Sequence, residues 1–533
     1  MSRGSAGLAA GTRLIEALRS PAAYPHLVEA PVRVIETHVS WVLLTGPYAY
    51  KIKKPLRLSF LDYSTLERRK RFCEEELRLN RRYAPAMYLD VVPIGGTEGA
   101  PRIGEALSPP LEYAVRMVQF DTRQELDALI DNDALARQEI EQLGARIGAF
   151  HTAATRAPAD QPYGSASLVH RVTLDNFAEL ESLEMAAPVP DRLNRLRPRA
   201  DALFAAGDVA MTERRKAGWT RECHGDLHCA NVVRWRGRLT PFDGIEFDPA
   251  LRYVDVVNDV AFLSMDLAAR GRPDLRHALL NAWTESLGDY AGLELLPYYE
   301  RYRALVRAKV AGLRVRQSAG TVSNAAGARA SVVRYLDWAA AQDDRPPAQL
   351  VITCGLSGSG KTWLARRLAA ELRALHVRSD IERKRLAGLS PLADSRSPPD
   401  AGLYTPEFND RTYRRLAECA RGCLLGRESV IVDAAFLRRH ERRDLVAIAA
   451  SIGAPVSIVH CTAPIEVLRQ RIASRRAAQN DPSEADVTLL DRQPSYWEPL
   501  ADDEHPMTIE VNTDMPQAPA DVARRLRARI AAA

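Results

Sequence analysis

The chain is 533 residues long, 46% hydrophobic and 26% charged, with a formal net charge of +5. It is too long for one core, so two or three domains are expected, and the composition is that of an ordinary soluble globular protein. So small a net charge argues weakly against a nucleic-acid partner. Seven scattered cysteines argue against a disulfide framework and for a reducing compartment. Residues 1–19 lack the apolar stretch of a signal peptide, and no 18-residue apolar run follows, so the expected location is cytoplasmic with no membrane partner.

In chain order, strand-like runs occupy residues 39–45, 48–53, 90–94 and 112–118, interrupted by a helix over 66–83 dense in Arg and Glu. From residue 121 the pattern turns helical, with Ile140, Leu143, Ile147 and Phe150 on one face. A helix over 299–316 carries Arg301, Arg303, Arg307, Lys309, Arg314 and Arg316 against Glu300 alone. Such a surface either lines an acceptor cleft, where it favours neutral or anionic molecules, or is a solvated basic face. A charged seam holding Pro346 and Pro347 follows. Beyond it, strands at 350–354, 376–379, 429–434 and 456–461 alternate with helices, which predicts a parallel sheet with crossover helices. The expected division is 1–343, with a small lobe over 30–118 and a helical lobe over 119–343, then a linker at 344–348 and a second domain over 349–533.

The first half carries His224-Gly225-Asp226, then Asn231 and, after a short interval, Asp243. A loop carboxylate can accept a hydroxyl proton, and an amide and a second carboxylate supply the oxygens that hard Mg2+ prefers. Asp226 is therefore the expected base, with Asn231 and Asp243 as metal ligands. Lys51, in Ala49-Tyr50-Lys51 on a predicted strand, is the expected cation for the α and β phosphates of ATP. Its expected partner on the following helix is Glu76, with Glu75 close behind. No Gly-x-Gly-x-x-Gly lies between Val34 and Lys51; the nearest candidates for a phosphate-covering loop are residues 36–40 and the turn at 45–47. Cys223, His224, His228 and Cys229 are crowded together, but no second ligand cluster follows at finger spacing, which argues against zinc. The segment 30–340 resembles the aminoglycoside phosphotransferase and choline kinase group, through His224-x-Asp226-x4-Asn231, Asp243, Asp255 and Asp259. The resemblance implies an α+β bilobal kinase-like fold, Asp226 as base, Asn231 and Asp243 on magnesium, His224 bracing the loop and a structural Asp259.

The second half opens with Gly355-x4-Gly360-Lys361-Thr362 after an apolar strand, the arrangement of a Walker A P-loop. Its backbone amides, from Gly355 through Ser357, Gly358, Ser359 and Gly360, are aimed at phosphate oxygens at a helix N-terminus. Lys361 is expected on the β and γ phosphates and Thr362 on Mg2+. Asp380 at the next strand end is placed to take a proton from an acceptor hydroxyl. Asp433, closing an apolar strand, is the expected metal-organising carboxylate. On the helix over 465–476, Arg471 is the expected lid arginine, and Arg475 and Arg476 read as a solvated basic face. Residues 348–533 resemble small predicted AAA-group kinases related to zeta toxins, gluconate kinases and the kinase part of polynucleotide kinases. The resemblance rests on the P-loop, Arg378-Ser379-Asp380-x-x-Arg383, Asp433, Asp481 to Asp486, and Gln493, and implies an α/β P-loop domain with residues 511–513 beside the adenine.

Together these features predict two ATP- and Mg2+-dependent phosphotransferase centres, each acting on a hydroxyl of a small molecule such as a sugar or sugar phosphate. The alternative is a regulatory protein whose first domain is a non-catalytic nucleotide sensor. Neither acceptor, nor the oligomeric state, is readable from the residues.

Overall fold

The structure is a computed structural model that describes residues 3–29, 31–58, 61–105, 109–317, 322–395, 397, 401–478, 481–484 and 486–532. It forms two compact units. One comprises Met1–Glu139, Ala154–Leu168 and Arg215–Leu263; the other comprises Ile140–Ala153, Val169–Arg214 and Ser264–Ala533.

The first unit is built on a six-stranded antiparallel sheet, in spatial order Arg33–Glu36, Ser40–Leu44, Tyr48–Lys53, Glu112–Val118, Tyr88–Thr97 and Ala100–Ile103. The strand Tyr48–Lys53 is buried on both faces. Tyr50 and Ile52 join Leu14, Leu18, Trp41 and Leu43 in one core. Ala49, on the opposite face at period two, joins Cys73, Met87, Tyr88 and Val115. Lys51 and Lys53 share that second face by the same alternation. The helix Leu66–Asn80 is capped by Thr65, whose side chain accepts from Arg68 N–H. Its buried positions Arg69, Cys73, Glu76 and Asn80 recur every three or four residues, so a helix rich in charge still presents one face inward. Further along, Thr220–Glu222 pairs antiparallel with Tyr253–Asp255, and Val232–Trp235 pairs with Arg238–Pro241. The segment carrying Asp226 and Asn231 runs between these two ribbons.

The second unit contains a five-stranded parallel sheet in spatial order Leu375–Arg378, Val430–Asp433, Leu350–Cys354, Val456–Thr462 and Thr508–Asn512. Its first strand in sequence lies centrally and all five of its residues are buried, the continuous apolar run expected of a sheet covered on both faces. Leu364, Leu368, Val522 and Leu526 from two helices cover one face. Because the chain leaves the central strand toward one side and returns on the other, a crevice opens at the strands' carboxyl ends. The P-loop sits there. The helices Pro273–Leu287 and Leu296–Gln317 belong to the same unit.

The expected fold class holds in both parts: α+β for the first and an α/β parallel sheet behind a P-loop for the second. The basic helix divides: Arg314 and Arg316 are exposed, as a solvated basic face requires, whereas the cations nearer its start are buried or paired. Arg301 and Arg303 are 3% and 4% exposed; Arg301 pairs with Asp343 at 2.7 Å and Lys309 with Glu179 at 3.3 Å. Arg307 lies over the Tyr335 ring. These cations are spent on packing within the helical layer, so they carry no information about acceptor charge. The seven cysteines are buried and none forms a disulfide. Among the described residues, no helix is long and apolar enough to cross a membrane.

Candidate active sites

In the first unit, Lys51 Nζ lies 2.9 Å from Glu76 and also pairs with Asp243. Glu76 has a second cation that the sequence did not single out: Lys53 Nζ lies 2.8 Å from its other oxygen. Lys53 further pairs with Glu246, which also accepts from the Tyr63 hydroxyl. Lys53 and Glu76 are fully buried. Burial opposes ionisation of Glu76, but the two ammonium groups hold its carboxyl down to about 2. Burial likewise opposes the charge on Lys51, and Asp243 and Glu76 override it, leaving the ammonium well above its usual value. The missed residues left faint signals. Lys53 shares the strand face of Lys51, and Glu246 follows Asp243 by three residues.

The loop from His224 to Asn231 is held by backbone donors. Asp259 accepts from Gly225 N–H at 2.8 Å and from His224 N–H at 3.3 Å. His224 Nε2 lies 2.9 Å from the Phe242 carbonyl, and burial pushes its imidazole pKa down. Both residues thus brace the loop. Asn231 Nδ2 donates to the Asp226 carboxylate at 2.9 Å and to its carbonyl at 3.0 Å, which leaves the amide oxygen to act as a ligand. The Asp226 side chain is 36% exposed and so accessible to an acceptor. Asp243 sits at φ 62°; its N–H donates to the Tyr88 hydroxyl and that of Gly244 to Asn80 Oδ1, which fixes this strained turn. Cys223 and Cys229 are fully buried, and the Cys223 thiol contacts the Val254 carbonyl at 3.7 Å. These are roles inside the loop.

Neither candidate covering loop is glycine-rich. Residues 37–39 form a tight turn between Arg33–Glu36 and Ser40–Leu44, tied by Lys54 to Thr37 O at 2.7 Å and to Glu36 at 2.6 Å. The turn at Gly46 is fixed by its N–H donating to Gln119.

In the second unit, the P-loop residues line a cleft of about 940 Å³ together with Asp380, Asp433, Arg471, Arg475 and Thr513. Gly358 and Gly360 have φ of 80° and 79°, and a Cβ on either would meet Leu468 O at 2.7 Å or Thr513 Oγ1 at 2.8 Å. Only glycine fits both the backbone and the space. Ser357 N–H donates to Gln493 at 2.7 Å, and Ser359 O accepts from Thr513. Lys361 Nζ donates to the carbonyls of Gly355 and Leu356 at 2.9 and 2.8 Å. Burial pushes its ammonium pKa down; Asp433 opposes this and Arg475 adds to it. Asp433 accepts a hydrogen bond from Thr362 and from His376, whose Nε2 is 3.1 Å away. Burial opposes its ionisation, but His376 and Thr362 hold its carboxyl down to about 2. Asp380 opens the short helix Ser379–Leu386 at the end of its strand. Arg471 donates to Thr513 Oγ1 at 2.9 Å and reaches Asp514 at 3.2 Å, which places it beside residues 511–513. Arg475 lies one turn further on; the side chain of Arg476 lies outside the described residues. Asp481 pairs with Arg378 at 3.3 Å and Glu484 with Lys384 at 3.0 Å.

Residues 350–500 match the AAA domain family model. Over 476 residues the chain is 29% identical to the uncharacterized protein Rv2004c of Mycobacterium tuberculosis, covering 89% of this chain and 93% of that one. Among solved structures, a sugar kinase from Janibacter sp. shares 25% identity over 34% of this chain and 92% of its own, with TM-score 0.26. A choline/ethanolamine kinase family protein from Mesorhizobium loti shares 13% identity over 61% of this chain and 99% of its own, with TM-score 0.35. The chain is thus similar to an AAA domain over residues 350–500.

Proposed function

We propose that this chain is a bifunctional ATP-dependent phosphotransferase, its functional halves divided at residues 344–348, each transferring the γ-phosphate of ATP to a hydroxyl of a small molecule. The observation that carries the reading is the pairing of a proton acceptor with an oxygen-donor set in each half: Asp226 with Asn231 and Asp243, and Asp380 with Thr362 and Asp433. A nucleotide-binding module has no need of a base.

The donor sets fit Mg2+, being carboxylate, amide and hydroxyl oxygens. When bound, Mg2+ neutralises charge on the phosphates at Asn231 and Asp243 in one half and at Thr362 and Asp433 in the other. In each half the base takes the hydroxyl proton as the acceptor oxygen bonds to the γ-phosphorus and the bond to ADP breaks. Lys51, held by Glu76, steadies the α and β phosphates. In the second half the amides of Gly355 to Gly360 and Lys361 cradle the chain of phosphates. Arg475 and Lys361 line the same cleft with like charge, which a bound phosphate would offset. We assign Arg475 the developing charge of transfer, and Arg471 the edge of the nucleotide base beside Thr513.

The test is a comparison of Asp226→Ala, Asp380→Ala and Lys361→Ala in ATP-consumption screens against a metabolite library. Each base variant is expected to lose about 10²–10⁴ in rate for one class of acceptor while nucleotide affinity stays near its original value. Turnover unchanged in both base variants sinks the proposal. A second reading, in which the first half is a nucleotide sensor, is favoured by the turn at 37–39, which has no glycine to fold over phosphates. Under that reading only Asp380→Ala and Lys361→Ala affect turnover.

A further inference from the structure

The helix Pro273–Leu287 precedes the seam and belongs by sequence to the first half, yet it runs beside the open edge of the parallel sheet, the strand Leu375–Arg378. An edge strand presents unpaired N–H groups that need a partner when covered. Asn281 supplies one, its Oδ1 accepting from His376 N–H at 2.8 Å. His376 is 4% exposed, and its ring is the group that holds Asp433 at 3.1 Å.

The two ends of the helix make equivalent attachments. Near its start, Arg276 pairs with Glu428 at 2.7 Å, two residues before the strand that ends in Asp433. At its end, the carbonyls of Glu285 and Ser286 accept from Arg385, and that of Gly288 accepts from Arg415. Guanidinium groups at a helix C-terminus satisfy its orphan carbonyls and complement its dipole. Arg385 and Arg415 lie 3.1 and 3.0 Å from Glu382, which is fully buried. Glu382 and Arg385 ride on the helix Ser379–Leu386, whose second residue is Asp380. Past Gly288 the approach stays tight: a Cβ on Gly422 or Gly426 would stand 2.3 or 2.4 Å from the carbonyls of Tyr290 and Leu293.

We propose that the helix Pro273–Leu287 is a positioning element of the P-loop site, with Asn281 acting on Asp433 through His376 and the Glu285–Gly288 carbonyls acting on Asp380 through Arg385 and Arg415. The inference rests on the P-loop kinase reading. The P-loop centre is then complete only with a helix from the half before the seam, because a displacement of about 1 Å at such carboxylates costs rate.

The experiment uses the full chain carrying Asp226→Asn to silence the first centre. ATP turnover is measured against Mg2+ concentration, with Mg2+-free binding of a fluorescent ADP analogue and amide exchange at His376 as separate readouts. Asn281→Ala is expected to lower turnover by about tenfold, the low end of what an outer hydrogen bond is worth, because it acts one step behind the His376 ring that bonds Asp433. It should also raise the half-saturating Mg2+ concentration and speed exchange at His376, with analogue binding unchanged because the loop amides are untouched. Asn281→Asp, which keeps the acceptor oxygen, is expected to restore most of the turnover. Arg385→Met, at the other end of the helix, should lower turnover without moving the Mg2+ response, and it decides the question if Asn281→Ala does not fold. Lys361→Ala separates the two levels. Turnover surviving Lys361→Ala overturns the kinase reading itself, whereas turnover lost there but intact in Asn281→Ala and Arg385→Met overturns only this inference.

Discussion

The carboxylate of Glu76 stands 2.9 Å from the ammonium of Lys51, and its other oxygen is claimed by a second lysine two residues along the same strand. The two lysines look alike in sequence and differ in burial: the Lys51 side chain is 12% exposed and that of Lys53 is 0%. Lys51→Met is expected to weaken ATP binding at the first centre with little change in melting temperature. Lys53→Met leaves the buried Glu246 without a cation and Glu76 with Lys51 alone, and removing one partner of a buried ion pair costs about 3–5 kcal/mol. Calorimetric melts beside ATP titrations check both; equal effects of the two variants on stability would contradict the assignment.

Asp226 and Asn231 act as a pair, since the amide donates to the carboxylate at 2.9 Å. Asn231→Asp replaces that donor with a like charge. It is expected to cut turnover of the first centre at least about tenfold and to move its acid pH limb upward, because a neighbouring carboxylate disfavours ionisation of the base. The pH–rate profile of the first centre, with Lys361→Ala silencing the second, reads this directly.

The two arginines of the helix Ile465–Ala478 should separate kinetically. Arg471 is bound to Thr513 and Asp514, so Arg471→Ala is expected to raise the KM for ATP with a smaller effect on kcat. Arg475 lines the same cleft as Lys361 and lowers its pKa. Arg475→Ala is expected to lower kcat by about 10³-fold, the lower range for an arginine that stabilises transferring phosphate. The reverse pattern would exchange the roles.

Stability should respond to acid with a definite sign. Burial opposes ionisation of Glu428, but Arg276 and Arg345 hold its carboxyl down to about 2. An unfolded glutamate titrates near about 4.3. Between these values the unfolded chain binds the extra proton, so the contribution is complete above about pH 5 and is lost as pH falls toward 2. Glu112 has the opposite sign: burial pushes its carboxyl up to about 7, against the pull of Arg69. Its contribution is present below about 4.3 and lost as pH rises through 7. Urea unfolding across pH 3–8 is expected to show Glu428→Gln flattening the acid limb and Glu112→Gln flattening the decline toward neutrality.

What could be read from the residues was local. The P-loop is a stretch of backbone whose glycines at 358 and 360 need positive φ, and the His224 to Asn231 loop is a spacing of eight residues. Both are visible because neighbouring residues alone dictate the geometry. The strands Tyr48–Lys53, Glu112–Val118 and Leu350–Cys354 were legible to the residue for the same reason, through short-range apolar patterns. The fate of the basic helix was not, since the burial of Arg301 and Arg303 depends on which distant carboxylates pack against them.

By itself, then, the sequence determined the two loop motifs and the parallel sheet behind the second of them. The tertiary structure alone decided that Glu76 serves two lysines, that Glu246 joins them from 193 residues away, and that Asn281 reaches the strand leading to Asp380 from 95 residues away. The physical reason is chain connectivity. A turn or strand is selected by the dihedral and burial preferences of adjacent residues, whereas an ion pair across a hundred residues exists only once the whole core has closed around it.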